Sequence, residues 1–438
     1  MNQDLKPGTL SWPKVAALGV AIAISGDFVG WNYGLAVGGW GGMMLAAMAM
    51  IVLFWCLTQC LAELAAAMPE GGGFDHYARR ALGPGAGFLA GMAVAIALAV
   101  GAGLAMSFVQ GYTQSMFGLG GWGIKLGLLA VVVGLQLRGA HEAGGITLLI
   151  GVLTVLVLAA LLLFLAPHFD AAQLRTRIDV AAPTVFPGGL RGAAACVPFA
   201  LFLFLGVEQA AHAATEMQDM ARSNSKALGT SITVAAVLGI AVLVIVTGAA
   251  GADELGKSAD PLFAAVMLHG QAHWATVIAR IVGSGALIAI MGTFFSLAYA
   301  ASRQIYHLAQ AGYLPTVFRH TNGRGAPDAA LLLLAAIAIV TAGFEADDAM
   351  VVFIFLISVS HVIVLLTFMR LRRAAPAMTR PYRAPGGVIL ALIATLLSAT
   401  VMVSCYQLQV RALSVAIAAL VLLWLYFVIR KPGDARGS

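Results

Sequence analysis

Charge is scarce in this sequence. Asp, Glu, Lys and Arg make up 10% of it, where a soluble domain carries about 25%. That shortage, beside 61% hydrophobic residues, excludes a water-soluble globular domain. Cysteine is nearly missing too. Cys56, Cys60, Cys196 and Cys405 all sit in apolar runs, and no metal-ligand spacing is present. There is no P-loop, GxSxG, HExxH or CxxC, and no local Ser, His and Asp pattern that names a triad. No enzymatic chemistry, cofactor or metal is therefore expected. The formal net charge of +6 comes without a basic stripe interleaved with stacking aromatics, so nucleic acid is not an expected partner. The polar start, Met1 to Lys14, lacks the form of a signal peptide, and the first apolar stretch is expected to remain as a helix.

What the chain has is length in its apolar runs. Runs near twenty residues recur from end to end, each long enough for a hydrocarbon core of ~30 Å. They are continuous rather than alternating, which excludes a β-barrel. The prediction is an all-α polytopic membrane protein of twelve transmembrane helices, roughly 13–38, 40–67, 85–117, 123–138, 144–166, 191–219, 227–250, 273–311, 326–344, 348–371, 387–409 and 411–430. With both termini cytoplasmic, eighteen Lys and Arg fall inside and six outside, with Arg280 ambiguous. Arg370, Arg372, Arg373, Arg380 and Arg383 share one inner connection, as the positive-inside rule requires. The expected location is the cell's inner membrane, with the lipid bilayer as a partner. The sequence does not fix an oligomeric state.

Two spans are interrupted. The first carries Ser25, Gly26, Asp27, Phe28, Val29, Gly30 and Trp31 where a plain anchor would be greasy. An acid at that depth costs roughly 2.5–3.5 kcal/mol on insertion scales. Irregular backbone is tolerated there only when protein or a water-filled cavity surrounds it. The sixth span breaks at Phe204-Leu205-Gly206-Val207-Glu208, five spans later. Paired breaks at matching positions predict an inverted-repeat transporter with its site at the midplane. The expected organisation is a cytoplasmic N-terminus (1–12), repeat one (13–166), repeat two (191–371), two peripheral helices (387–430) and a cytoplasmic C-terminus (431–438).

Broken helices expose N–H groups to anions and C=O groups to cations. Asp27 is the first candidate partner for an ammonium, with Phe28, Trp31 and Phe202 as cation-facing or lid aromatics. A carboxylate-bearing solute would be repelled by an ionised Asp27, which favours an amine. The alternative is Asp27 as a structural acid at the break. Glu208 either holds the second break or carries a coupling proton; Asp27 and His212, the latter one turn after Glu208, are the other proton-coupling candidates. Ser358 and His361 are further candidates in the tenth span. Glu63 reads as an interfacial acid without special function.

The same residues resemble the amino acid–polyamine–organocation (APC) superfamily. The landmarks are Ile24-Ser25-Gly26-Asp27-Phe28; Ala62-Glu63-Leu64 with Pro69-Glu70-Gly71-Gly72-Gly73-Phe74 and Gly83-Pro84; Phe204 to Glu208 with Ala214 to Asp219; and Ala301 to Tyr306 with Gly312-Tyr313-Leu314-Pro315 and Gly325-Ala326-Pro327. The first break, through Gly30-Trp31-Asn32, is most similar to ethanolamine permeases. The resemblance implies a leucine-transporter-like (LeuT-like) 5+5 inverted repeat and alternating access. It also implies that Ser25 and Gly26 lend backbone to substrate, that Phe202 is a gating aromatic, that Leu205 and Glu208 flank the second break at Gly206, and that Ser296 or Leu297 lies near the site. Some proton-coupled relatives place a Lys in span five, but 143–167 holds no Lys or Arg. The expectation is a secondary transporter of small organic amines, proton-coupled or exchanging. An amino-acid permease is the alternative, and a membrane nutrient sensor without flux is the alternative from another class. A sensor is expected to need an output domain, and none is visible.

Overall fold

A computed structural model describes residues 11–68, 73–138, 143–176, 183–209, 220–269 and 273–430. His212, and the landmark stretches 69–72 and 214–219, lie outside the described residues. The ordered elements are helical, and among the described residues only an isolated bridge, Thr176 to Thr184, pairs extended backbone. Eight of the described helices are long and apolar enough to cross a membrane, and Trp122–Leu137, Gly189–Phe202 and Asp328–Thr341 are shorter apolar helices.

Helix α1 (Trp12–Ala23) starts at Ser11 with Pro13 in its first turn, where a missing N–H is harmless. It gives way to a 3₁₀ turn at Ile24–Asp27. After Gly30, at φ 96°, α2 (Asn32–Ala67) begins. The α2 axis kinks at Gly39 (φ 71°, ψ 178°), the residue between the first two expected spans. Next come α3 (Phe74–Leu82), α4 (Pro84–Phe117), α5 (Trp122–Leu137) and α6 (Ala143–Leu165).

The second half opens with α7 (Gly189–Phe202), which ends in a turn and a 3₁₀ segment at Val207–Gln209. Then α8 (Met220–Ala241) runs through a π-turn at Val242–Val246, whose Leu243 carbonyl accepts from Trp40 Nε1 at 2.7 Å. There follow α9 (Pro261–Leu268), α10 (His273–Gln310), α11 (Asp328–Thr341), α12 (Ala346–Ala374), α13 (Val388–Leu408) and α14 (Val410–Arg430).

Small residues decide how closely the pieces approach. Gly34, Gly38 and Gly42 form a stripe at four-residue spacing on α2 that lies against α7. A side chain at Gly38 would run into Cys196 Sγ and the Gly192 carbonyl. Stripes of this kind bring backbones together where lipid supplies no hydrophobic drive. The Cys196 thiol donates to the Gly34 carbonyl at 3.1 Å across the same contact. The core of the bundle is α4, packed along α10 and α12. By contrast, α14 lies on the outside, with Val415, Leu422 and Ile429 exposed.

Candidate functional site

The two breaks meet. A methyl on Gly26 would overlap the Phe202 carbonyl oxygen and lie 3.2 Å from Leu203 Cα, so the first break touches the backbone of the second directly. Gly30 sits over the Phe202 ring. Beside this crossing is a cavity of about 80 Å³. Ser25, Gly26 and Val29 line it from the first break, and Phe202, Leu205, Gly206 and Glu208 from the second. The α4 helix adds Leu98, Gly101, Leu104, Ala105 and Phe108; α10 adds Ile290, Thr293 and Leu297; α12 adds Phe353 and Ile357.

The polar side chains on its wall are Ser25, Thr293 and Glu208. Glu208 is 1% exposed, and its Oε2 accepts from Gly206 N–H at 2.8 Å, which fixes Gly206 at φ 103°. The Phe202 ring stands edge-on to Phe108 and Phe353, with centroids 6.0 and 6.3 Å away, so three aromatics close one side. Backbone polarity at two broken helices, one carboxylate and an otherwise apolar wall suit a small solute with a charged end.

Ser25, Gly26, Phe202, Leu205, Gly206 and Glu208 thus come together on one cavity, while Asp27, Phe28, Trp31, Ser296 and Ser358 are not among its lining residues. Asp27 is 1% exposed and faces α8, where a methyl on Gly239 would lie 3.4 Å from its Oδ1. That oxygen has no hydrogen-bond partner among the described residues. Trp31 is buried, and its Nε1 donates to the Asp27 carbonyl at 3.0 Å. Tyr112 Oη–H donates to the Phe28 carbonyl at 2.8 Å. The aromatics of the first break therefore brace its main chain.

Ser296 and Ser358 donate to carbonyls one turn earlier on their own helices, Gly292 at 2.9 Å and Ile354 at 2.8 Å. His361 is buried edge-on to Phe54 and Phe74, away from the cavity.

Asn32, which the sequence marks only as part of the Gly30-Trp31-Asn32 motif, has a structural role. Its Oδ1 accepts from Gly30 N–H at 3.1 Å, while Nδ2 donates to the Leu255 and Ser258 carbonyls at 2.9 and 2.8 Å. It pins the restart of α2 to the loop before α9. Thr293 and Phe108 are cavity residues that the sequence does not mark. They sit at helical spacing from Leu297 and Leu104, but on helices without an amphipathic stripe, where periodicity carries no signal.

The family described as amino acid permease matches residues 10–427. An uncharacterized transporter of Rhizobium meliloti is 26% identical over 320 residues, covering 69% of this chain and 65% of that protein. A probable amino-acid permease of Schizosaccharomyces pombe is 25% identical over 338 residues, with 75% and 58% covered. A gamma-aminobutyric acid permease of Bacillus subtilis is 26% identical over 386 residues, with 84% and 78% covered. The chain thus spans less than two thirds of the first two relatives' lengths.

Proposed function

We infer a function from one premise: this chain belongs to the amino acid permease family of the APC superfamily. In our reading it is a secondary transporter in the inner membrane that moves a small amino acid by alternating access. It crosses the bilayer twelve times with both ends cytoplasmic, and two five-span halves, 13–166 and 191–371, are related by inversion. Its packing supports that division. Where α4 contacts α12, α10 contacts α6; where α4 contacts α11, α10 contacts α5; α4 with α5 is matched by α10 with α11. Each contact has the counterpart that exchange of the two halves would produce.

The observation that carries the solute reading is the crossing of Gly26 and Phe202 over a cavity with a carboxylate on one wall. A zwitterion satisfies both ends of such a site. Its ammonium meets Glu208, and its carboxylate meets Ser25 and the freed N–H groups of the first break. A water needs about 10–15 Å³ on the same measure, so about 80 Å³ suits only a few heavy atoms, the size of alanine or gamma-aminobutyric acid. An ethanolamine-like amine is the second reading. It is favoured by the same small volume and by Glu208 alone, now that Asp27 faces α8.

In this account Asp27 holds a coupling proton behind the site, because a neutral acid is far cheaper to bury without a partner than a carboxylate. Uptake into proteoliposomes tests the whole reading. Labelled alanine or gamma-aminobutyric acid should accumulate saturably, ethanolamine should compete at least tenfold more weakly, and an inward proton gradient should speed the unaltered chain but not Asp27→Asn. Competition by ethanolamine alone would favour the amine. Absence of saturable flux with every solute would end the transport reading.

A further inference from the structure

A second space lies outside the bundle. A groove of about 570 Å³ runs between α4, α11, α12 and α14. Its floor is apolar, with Val100, Ile337, Val352, Leu356 and Val415 among the lining residues. The charged residues on it are Asp348 and Arg411, in the first turns of α12 and α14. Since α13 returns between those two helices, both starts lie at the same face of the bundle.

Below this charged mouth the groove follows α12 from Asp348 to Leu356 and α14 from Arg411 to Ala419. Each path is about 12 Å long at 1.5 Å per residue, close to the ~15 Å hydrocarbon depth of one leaflet.

The mouth is chemically unfinished. Among the described residues, Asp348 Oδ1 is buried with no hydrogen-bond partner and the exposed Arg411 has no ion pair. Glu345 and Asp347 add negative charge around Asp348. Lys125, whose Nζ donates to the Ala342 carbonyl at 2.7 Å, offsets part of the Glu345 charge. Three acids against Arg411 and Lys125 still leave the mouth net negative, which disfavours a net anionic headgroup and suits one that ends in a cation. A primary ammonium can also donate hydrogen bonds to Asp348, which a trimethylammonium cannot.

We propose that this groove seats one phospholipid with a primary-amine headgroup, its acyl chain on the apolar floor, its phosphate on Arg411 and its ammonium on Asp348. The proposal needs the chain to lie in a bilayer and is independent of which solute crosses it. Native mass spectrometry of the full chain, with phosphatidylethanolamine, phosphatidylcholine or phosphatidylglycerol added in turn, tests it. The expected result is one tightly held phosphatidylethanolamine per chain, at severalfold higher occupancy than either other lipid. Arg411→Gln and Asp348→Asn should each lower that occupancy severalfold while the thermal midpoint in lipid-free detergent stays within a degree or two. Equal retention of the three lipids, equal occupancy in both variants, or a dimer that excludes lipid from this face would overturn it.

Discussion

Glu63→Ala is expected to destabilise the folded chain by about 3 kcal/mol, the low end of the range for breaking a buried ion pair. Glu63 is 2% exposed near the end of α2. Its two oxygens take Arg372 in a bidentate pair, Arg380 at 3.2 Å and the Ala384 N–H at 2.7 Å. Arg380 also donates to the Leu371 and Ala375 carbonyls, each at 3.0 Å. One carboxylate thereby fastens the connection between α12 and α13 to the end of α2. Removing it leaves two guanidiniums without their counter-charge, held by main-chain carbonyls. Arg372 keeps 25% of its side chain exposed, which is why the low end of the range applies. Glu63→Gln retains an acceptor for Ala384 and should cost less. Thermal midpoints of the three proteins in one detergent measure this, and a midpoint for Glu63→Ala equal to the unaltered chain's would refute it.

Gly26→Ala is expected to reduce uptake at least tenfold. The added methyl would meet main-chain atoms of Phe202 and Leu203, which have no rotamer to escape into. Overpacking of this kind typically costs about 1–3 kcal/mol, and here it is concentrated at the contact between the two breaks. Gly127→Ala on α5 is the control, since nothing lies within 4 Å of that site. It should insert, fold and transport normally. Both proteins are compared by initial uptake rate per folded molecule in proteoliposomes. Normal rates for Gly26→Ala would show that the breaks can separate without consequence.

Much of this architecture is legible in the amino acids because glycine and acid are so costly inside apolar helices. Ser25 to Trp31 and Gly206 to Glu208 stand out for that reason, and both fall where helices are interrupted. Direction was not legible. Ser25 and Asp27 are two residues apart in one 3₁₀ turn, yet one lines the cavity and the other faces α8. In a segment apolar on every side, no polar face exists to tell inward from outward.

Short amphipathic structure was missed as well. Residues 74–82 fall between the second and third expected spans, but Phe74, Tyr77 and Ala78 make a buried stripe and the segment is α3. Glu63 looked unremarkable because its partners lie more than 300 residues further along. Two of the arginines counted toward the expected inner side, Arg372 and Arg380, are bound to that carboxylate and so serve the fold.

The cavity beside the two breaks is the centre of this account, and thiol protection tests it most directly. Cys56, Cys60, Cys196 and Cys405 are buried and should give little background. Thr293→Cys places a thiol on the cavity wall, and Ser296→Cys places one on the same helix away from it. With a solute that the vesicles accumulate, modification of Thr293→Cys by a small membrane-permeant maleimide should slow severalfold, while Ser296→Cys reacts at an unchanged rate. Identical rates at Thr293→Cys with and without that solute would contradict the assignment of this cavity as the transport site.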